Sequence, residues 1–162
     1  MAIKALVTGA TGYVGGRLVT RLLEEGFEVR VMARHPEKMR DYPWINQVEV
    51  IQGDAEDEAS LTSPLSGIDV AYYMLHSLSE HDGFETIETR MANNFGKVAK
   101  QSGIKRIVYL GGIANDKKSS QHLASRVQTG AELASGKVPV LELRAGIIIG
   151  SGSASFEMLR HL

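Results

Sequence analysis

The sequence predicts an α/β domain on a doubly wound parallel sheet of six strands in the order 3-2-1-4-5-6. Three observations predict it. Short apolar runs alternate with segments of helical periodicity. The runs are apolar throughout, as in strands covered on both faces. Many of the 17 glycines fall at the ends of those runs, where tight turns are needed. Right-handed crossovers then convert the alternation into the doubly wound order.

Residues 3–7 form the first strand and 9–15 the turn after it. A helix runs on to about Glu25, with Val14, Leu18, the stem of Arg21 and Leu22 on one side, and Gly26 stops it. Residues 27–32 are the second strand. Pro36 opens a short helical piece that ends near Tyr42 and Pro43. Residues 48–51 are the third strand. Asp57 then caps a helix through Leu65, and Gly67 closes it. Residues 68–75 are the fourth strand and 76–82 a polar loop. Phe84, Ile87, Met91, Phe95, Val98 and Ala99 make the stripe of a long helix stopped by Gly103. Residues 106–110 are the fifth strand, ending in Gly111 and Gly112, and 113–118 a flexible loop. Ser119 or Ser120 caps a helix with the stripe Leu123, Val127, Ala131 and Ala134, ended by Gly136. Residues 138–143 are the sixth strand, and Ser153 begins a further helix.

The 162 residues read as one domain with a sizeable core. A net charge of −1 with scattered Lys and Arg gives no field to recruit nucleic acid or an anionic membrane. The lack of cysteine excludes disulfides, thiolate metal sites and thiol catalysis, and no metal is expected. Without a signal peptide or spanning segment, the expected location is the cytoplasm. The chain ends at Arg160, His161 and Leu162 inside an amphipathic segment. A domain over residues 1–162 that lacks a C-terminal substrate-binding portion is expected, ahead of a naturally short chain with a frayed end.

Gly9, Gly12 and Gly15 form a GxxGxxG turn between the first strand and helix. Gly9 permits the turn, Gly12 lets backbone approach a pyrophosphate, and Gly15 lets the helix pack close to the sheet. The free N–H groups of the helix start, Tyr13 and Val14 among them, then face the phosphates. Thr8 and Thr11 can add hydroxyl donors. In the stretch VMARHPEK no carboxylate stands at the end of the second strand to accept from a ribose 2′-OH. Arg34 stands there instead, with His35 and Lys38 behind it, which suits a 2′-phosphate. The expected cofactor is therefore NADP(H) rather than NAD(H). In GDAED, Asp54 can meet the adenine edge beside the backbone of Ala55, or can close an ordinary Asx turn. Leu75 and His76, at the end of the fourth strand, are expected to line the cofactor crevice, as is Gly111 after the fifth.

TGATGYVGG, NNFGKVAKQSGIKRIVYLGG and LRAGIIIGSGSASF together resemble the short-chain dehydrogenase/reductase superfamily. The likeness is greatest to its atypical members, the NmrA-like proteins and those labelled nucleoside-diphosphate-sugar epimerases. It covers essentially the whole chain. It implies a Rossmann fold, a nicotinamide cofactor, a substrate cleft over the C-terminal strand ends, and frequent dimers or tetramers. It also implies a Ser or Thr after the fifth strand, a catalytic Tyr, and a Lys one helical turn on. Here Gly111 and Gly112 carry no hydroxyl, and His122 and Arg126 stand in place of Tyr and Lys.

Residues four apart share a helix face, so His122 can act as general acid or base with Arg126 lowering its pKa. Arg126 can also hold a ribose hydroxyl or an anionic substrate. The plainer reading is a polar helix face beside Leu123 and Val127. Asn93 stands where extended members carry a helix-kinking Asn, and Tyr72, Tyr73 and Tyr109 are read as core. Two functions follow. One is an oxidoreductase passing hydride from NADPH to a carbonyl or enone, with a small-molecule substrate the sequence does not name. The other is a non-catalytic NADP(H) sensor. A sugar-nucleotide epimerase is the weaker third, since its Tyr is missing.

Overall fold

The structure, a computed structural model, describes residues 2–76, 84–113, 121–146 and 148–153, with the backbone alone at 84–86, 121 and 122. Six strands, β1 (Lys4–Thr8), β2 (Glu28–Ala33), β3 (Glu49–Gln52), β4 (Val70–Tyr73), β5 (Arg106–Gly112) and β6 (Val140–Ala145), form one parallel sheet. Their order is β3-β2-β1-β4-β5-β6, as the sequence predicts. The helices are α1 (Tyr13–Glu24), the single turn α2 (Thr62–Leu65), α3 (Phe84–Gln101) and α4 (Gln121–Ser135).

Strand residues alternate between two cores. Ala5, Val7, Val29 and Val31 pack against Val19 and Leu22 of α1 and against Met39 and Trp44 of the segment after β2. Leu6, Ala71, Tyr73, Ile107 and Tyr109 face the other way, against Phe95 and Val98 of α3 and Leu133 of α4. Phe95 meets Tyr73 edge to face, with ring centroids 5.0 Å apart. Each such fully buried side chain contributes about 1.5–3 kcal/mol through removal from water. Burial also raises the pKa of both Tyr73 and Tyr109, the latter to about 12, so these phenols stay neutral core residues.

Several boundaries differ from expectation, each for a local reason. β4 is shorter than 68–75. At its start, the Ile68 N–H turns back to the Leu65 carbonyl. At its end, the Met74 N–H donates to the Thr8 hydroxyl rather than continuing a ladder. β6 lies two residues later than 138–143, because Lys137 takes a left-handed φ of 62° and hydrogen-bonds back to Ala134. Asp57 does cap, accepting from the Ala59 N–H, but over a 3-10 turn (Glu58–Leu61) that precedes α2. On α1 the buried residues are Gly15, Val19 and Leu22, while Arg21 is exposed and paired with Glu24 and Glu25.

α4 departs furthest. Val127, Ala131 and Ala134 of the expected stripe are exposed, and Ser125, Thr129, Gly130 and Leu133 are buried. The cause is close helix contact: a Cβ on Gly136 would lie 2.4 Å from the backbone of Gly96 in α3. At that separation small residues are what fit, so the contact face is not the apolar one. Gly136→Ala should force α3 and α4 apart and lower stability by about 1–3 kcal/mol, read by chemical denaturation. An unchanged midpoint would show that the two helices do not need this contact.

The expected helix cap at Ser119 or Ser120, most of the loops 76–82 and 113–118, and the helix after Ser153 lie outside the described residues. No helix among the described residues is long and apolar enough to cross a membrane.

Candidate cofactor and active site

The C-terminal ends of β1, β4 and β5 open onto the glycine turn, the place where open α/β sheets bind ligands. The three glycines of the turn answer to different demands. Gly9 takes a left-handed φ of 65°, and a Cβ there would sit 2.4 Å from the Met74 carbonyl oxygen. A Cβ on Gly15 would lie 2.2 Å from the Gly9 carbonyl oxygen, so Gly15 seats α1 against the turn itself. Gly12 is different. Its φ of −81° and ψ of 165° suit any residue, and among the described residues its Cβ would meet only the Gly9 carbonyl oxygen, at 3.3 Å. The fold gains little from a glycine at this exposed position. Its bare Cα leaves the helix start open to a ligand.

Gly12 caps α1 without a side chain, and the first turn carries no acidic residue. Its carbonyl accepts the Gly16 N–H. The N–H groups of Tyr13, Val14 and Gly15 therefore precede the first helical bond and have no acceptor within the helix. With the positive end of the helix dipole, they form a cradle for an anion. A pyrophosphate fits this donor set.

The other predicted residues divide. The Thr11 carbonyl accepts the Tyr42 hydroxyl, which ties the turn to the segment after β2. The Thr8 hydroxyl is buried and bridges the Tyr72 carbonyl and Met74 N–H, so it is a fold contact and not a phosphate donor. Arg34 follows β2 at the surface, and among the described residues its guanidinium makes no ion pair. Asp54 closes an Asx turn on the Glu56 N–H at 3.0 Å. Ala55 is buried, its carbonyl held by Asn94 of α3 at 3.0 Å. Asn93, by contrast, reaches Glu132 of α4 at 3.2 Å.

Leu75 packs on the core beneath α3, and the His76 ring lies 6.4 Å from that of Tyr109. The Tyr109 hydroxyl donates to the Arg126 carbonyl at 3.0 Å. Arg126 is half-buried, with its side chain against the open side of Gly112. His122 lies one turn earlier on α4, and its side chain is outside the described residues. The structure thus brings His76, Tyr109, Gly111, Gly112 and Arg126 to one end of the sheet.

Sequence reasoning missed Glu142. It projects from β6 on the α4 side, filling the space left by Gly111 and Gly130. A Cβ on Gly111 would lie 2.5 Å from Glu142 Oε1. The signal was present as alternation in LELRA, with acid and base where strand burial calls for apolar residues. Sequence reasoning also missed that residues 148–153 return to α1. Arg17 lies 4.6 Å from the centre of the Tyr13 ring and donates to the Ser151 carbonyl at 2.9 Å. A cavity of about 960 Å³ runs from the opposite ends of the strands, beside Ile3, Phe27 and Arg106, onto the sheet face at Tyr72, Val108 and Leu141. Among the described residues, no three His, Asp or Glu stand close enough to hold a metal ion.

A family model described as NAD(P)H-binding matches residues 9–135. A "3 beta-hydroxysteroid dehydrogenase/Delta 5-->4-isomerase" of Mycobacterium tuberculosis is 29% identical over 116 residues, covering 65% of this chain and 30% of the relative. A "(4-alkanoyl-5-oxo-2,5-dihydrofuran-3-yl)methyl phosphate reductase" of Streptomyces griseus is 33% identical over 123 residues, covering 76% and 39%. Among solved structures, the Citrobacter triphenylmethane reductase complexed with NADP(H) superposes with a TM-score of 0.73 at 25% identity, over 90% of this chain and 50% of that one. The chain therefore spans about a third of the length of these curated relatives and half of that solved chain.

Proposed function

Since the chain belongs to the NAD(P)H-binding family, within the short-chain dehydrogenase/reductase superfamily, we propose that it holds NADP(H) and serves the reduction of a carbonyl or enone. The observation that carries this reading is Gly12: an ordinary backbone conformation, little steric need for glycine, and an uncapped helix start beside it. The N–H groups of Tyr13, Val14 and Gly15 hold the pyrophosphate. The Arg34 guanidinium pairs with the 2′-phosphate. Asp54 and Ala55 border the adenine, and Leu75, His76 and Gly111 border the nicotinamide half. When bound, the nicotinamide supplies the hydride.

The proton is the task of the chain's own residues. His122 donates it to the carbonyl oxygen as general acid. Arg126, one turn on along the same helix, holds a ribose hydroxyl or an anionic group of the substrate. The test is NADPH oxidation across a panel of aldehydes, ketones and enones. Turnover should appear with one class and fall by about 10²–10⁴ in His122→Ala, with NADPH affinity nearly kept. Turnover that survives the change would remove His122 from the mechanism.

One observation favours the second reading, an NADP(H) sensor without chemistry. The end of β5 offers no hydroxyl, and the neighbouring Tyr109 hydroxyl is committed to the Arg126 carbonyl. Binding of NADPH without turnover on any panel member supports the sensor.

A further inference from the structure

The end of β5 is flanked by two arginines, one of which pairs with the carboxylate of Glu142. Arg126 lies against Gly112 from the α4 side, and its Nε is buried with no hydrogen-bond partner. Arg144 stands directly across the ladder from Gly111 on β6, and its side chain is 60% exposed. Paired residues on neighbouring strands stand about 5 Å apart, so both arginines border the same pair of glycines. Glu142 lies on the same face, two residues before Arg144. One of its oxygens accepts from Arg144 Nη2 at 3.2 Å, and the other is buried without a hydrogen-bond partner.

Glu142 is held there by the backbone. Side chains at Gly111 or Gly130 would occupy its place, the first at 2.5 Å and the second at 3.3 Å. The acid therefore sits in a space that these glycines leave, where it aligns Arg144. Arg144 remains largely exposed at the strand ends where the cleft opens, so its guanidinium can take a further acceptor.

We infer that this end of the cleft takes an anionic substrate, a phosphate ester or carboxylate, held between Arg126 and Arg144 with Glu142 as the positioning residue for Arg144. The inference rests on the cleft assignment above and adds the substrate class. Guanidiniums bind both oxyanions through paired N–H···O bonds, and the buried Arg126 Nε still has a hydrogen to give.

The probe is inorganic phosphate, titrated calorimetrically into the chain with and without saturating NADPH. Saturable binding is expected in the NADPH-loaded chain. Arg144→Ala should weaken it about tenfold or more, and Arg144→Lys should restore part of it. Arg90→Ala, which removes the exposed pair with Glu56 after β3, should leave it unchanged. Phosphate binding that is absent in the parent chain, or indifferent to Arg144→Ala, would overturn the inference. NADPH affinity is read in the same samples and fails separately. If NADPH does not bind, the cofactor reading falls, and dependence of phosphate binding on Arg144 still decides this inference. Succinate in place of phosphate distinguishes the two anion sources.

Discussion

Gly12→Val should weaken NADPH binding by about a hundredfold or more while leaving the fold intact. The two halves of that result have separate causes. The backbone at Gly12 is extended and open to any L-residue, and among the described residues only the Gly9 carbonyl oxygen lies near the new Cβ. A shift of a few tenths of an ångström relieves it, so unfolding should move by less than about 1 kcal/mol. The valine methyls, however, would cover the donors at the start of α1. Each charge-assisted hydrogen bond lost costs about 1.5–3 kcal/mol. Two such losses weaken binding by about a hundredfold or more. The same substitution at Gly9 or Gly15 would drive a side chain into backbone oxygen and should damage the fold. Denaturation and NADPH titration of all three variants separate the cases. A Gly12→Val chain that binds NADPH normally would show that the turn is structural.

Arg34→Glu should reverse the cofactor preference. Arg34 is exposed beyond the end of β2, and no acid among the described residues holds it. Its charge is therefore available to a 2′-phosphate. A carboxylate there repels that phosphate and accepts from a bare 2′-OH. NADPH affinity should fall by about a hundredfold, while NADH affinity holds or rises. Being a surface change, it should leave unfolding unaltered. Equal weakening of both nucleotides would remove Arg34 from the site.

Much of this was legible before any coordinates, and the reason is periodicity. Runs such as ALV, VYL and AYYM are apolar without alternation, as in strands covered on both faces, and their alternation with helical segments gave the six-strand order through the crossover rule. The GxxGxxG turn was legible because each glycine answers a distinct steric demand. The rest depended on tertiary partners. Nothing local says that the Thr8 hydroxyl turns toward β4 rather than a phosphate. The α4 stripe misled because Gly96 and Gly136 bring two helices so close that Ser125 and Thr129 make the contact face. Periodicity reads hydrophobicity, and this interface is selected by size. Glu142 was hidden for a related reason: the space it fills is made by glycines on two other elements.

The central claim is that this chain binds NADP(H) through the glycine turn and Arg34. The most direct test is a titration of the purified chain with NADPH and, in parallel, NADH, following nicotinamide fluorescence. NADPH binding should be saturable, and NADH binding weaker by about tenfold or more. Failure to bind either nucleotide, or equal affinity for both, would contradict the claim.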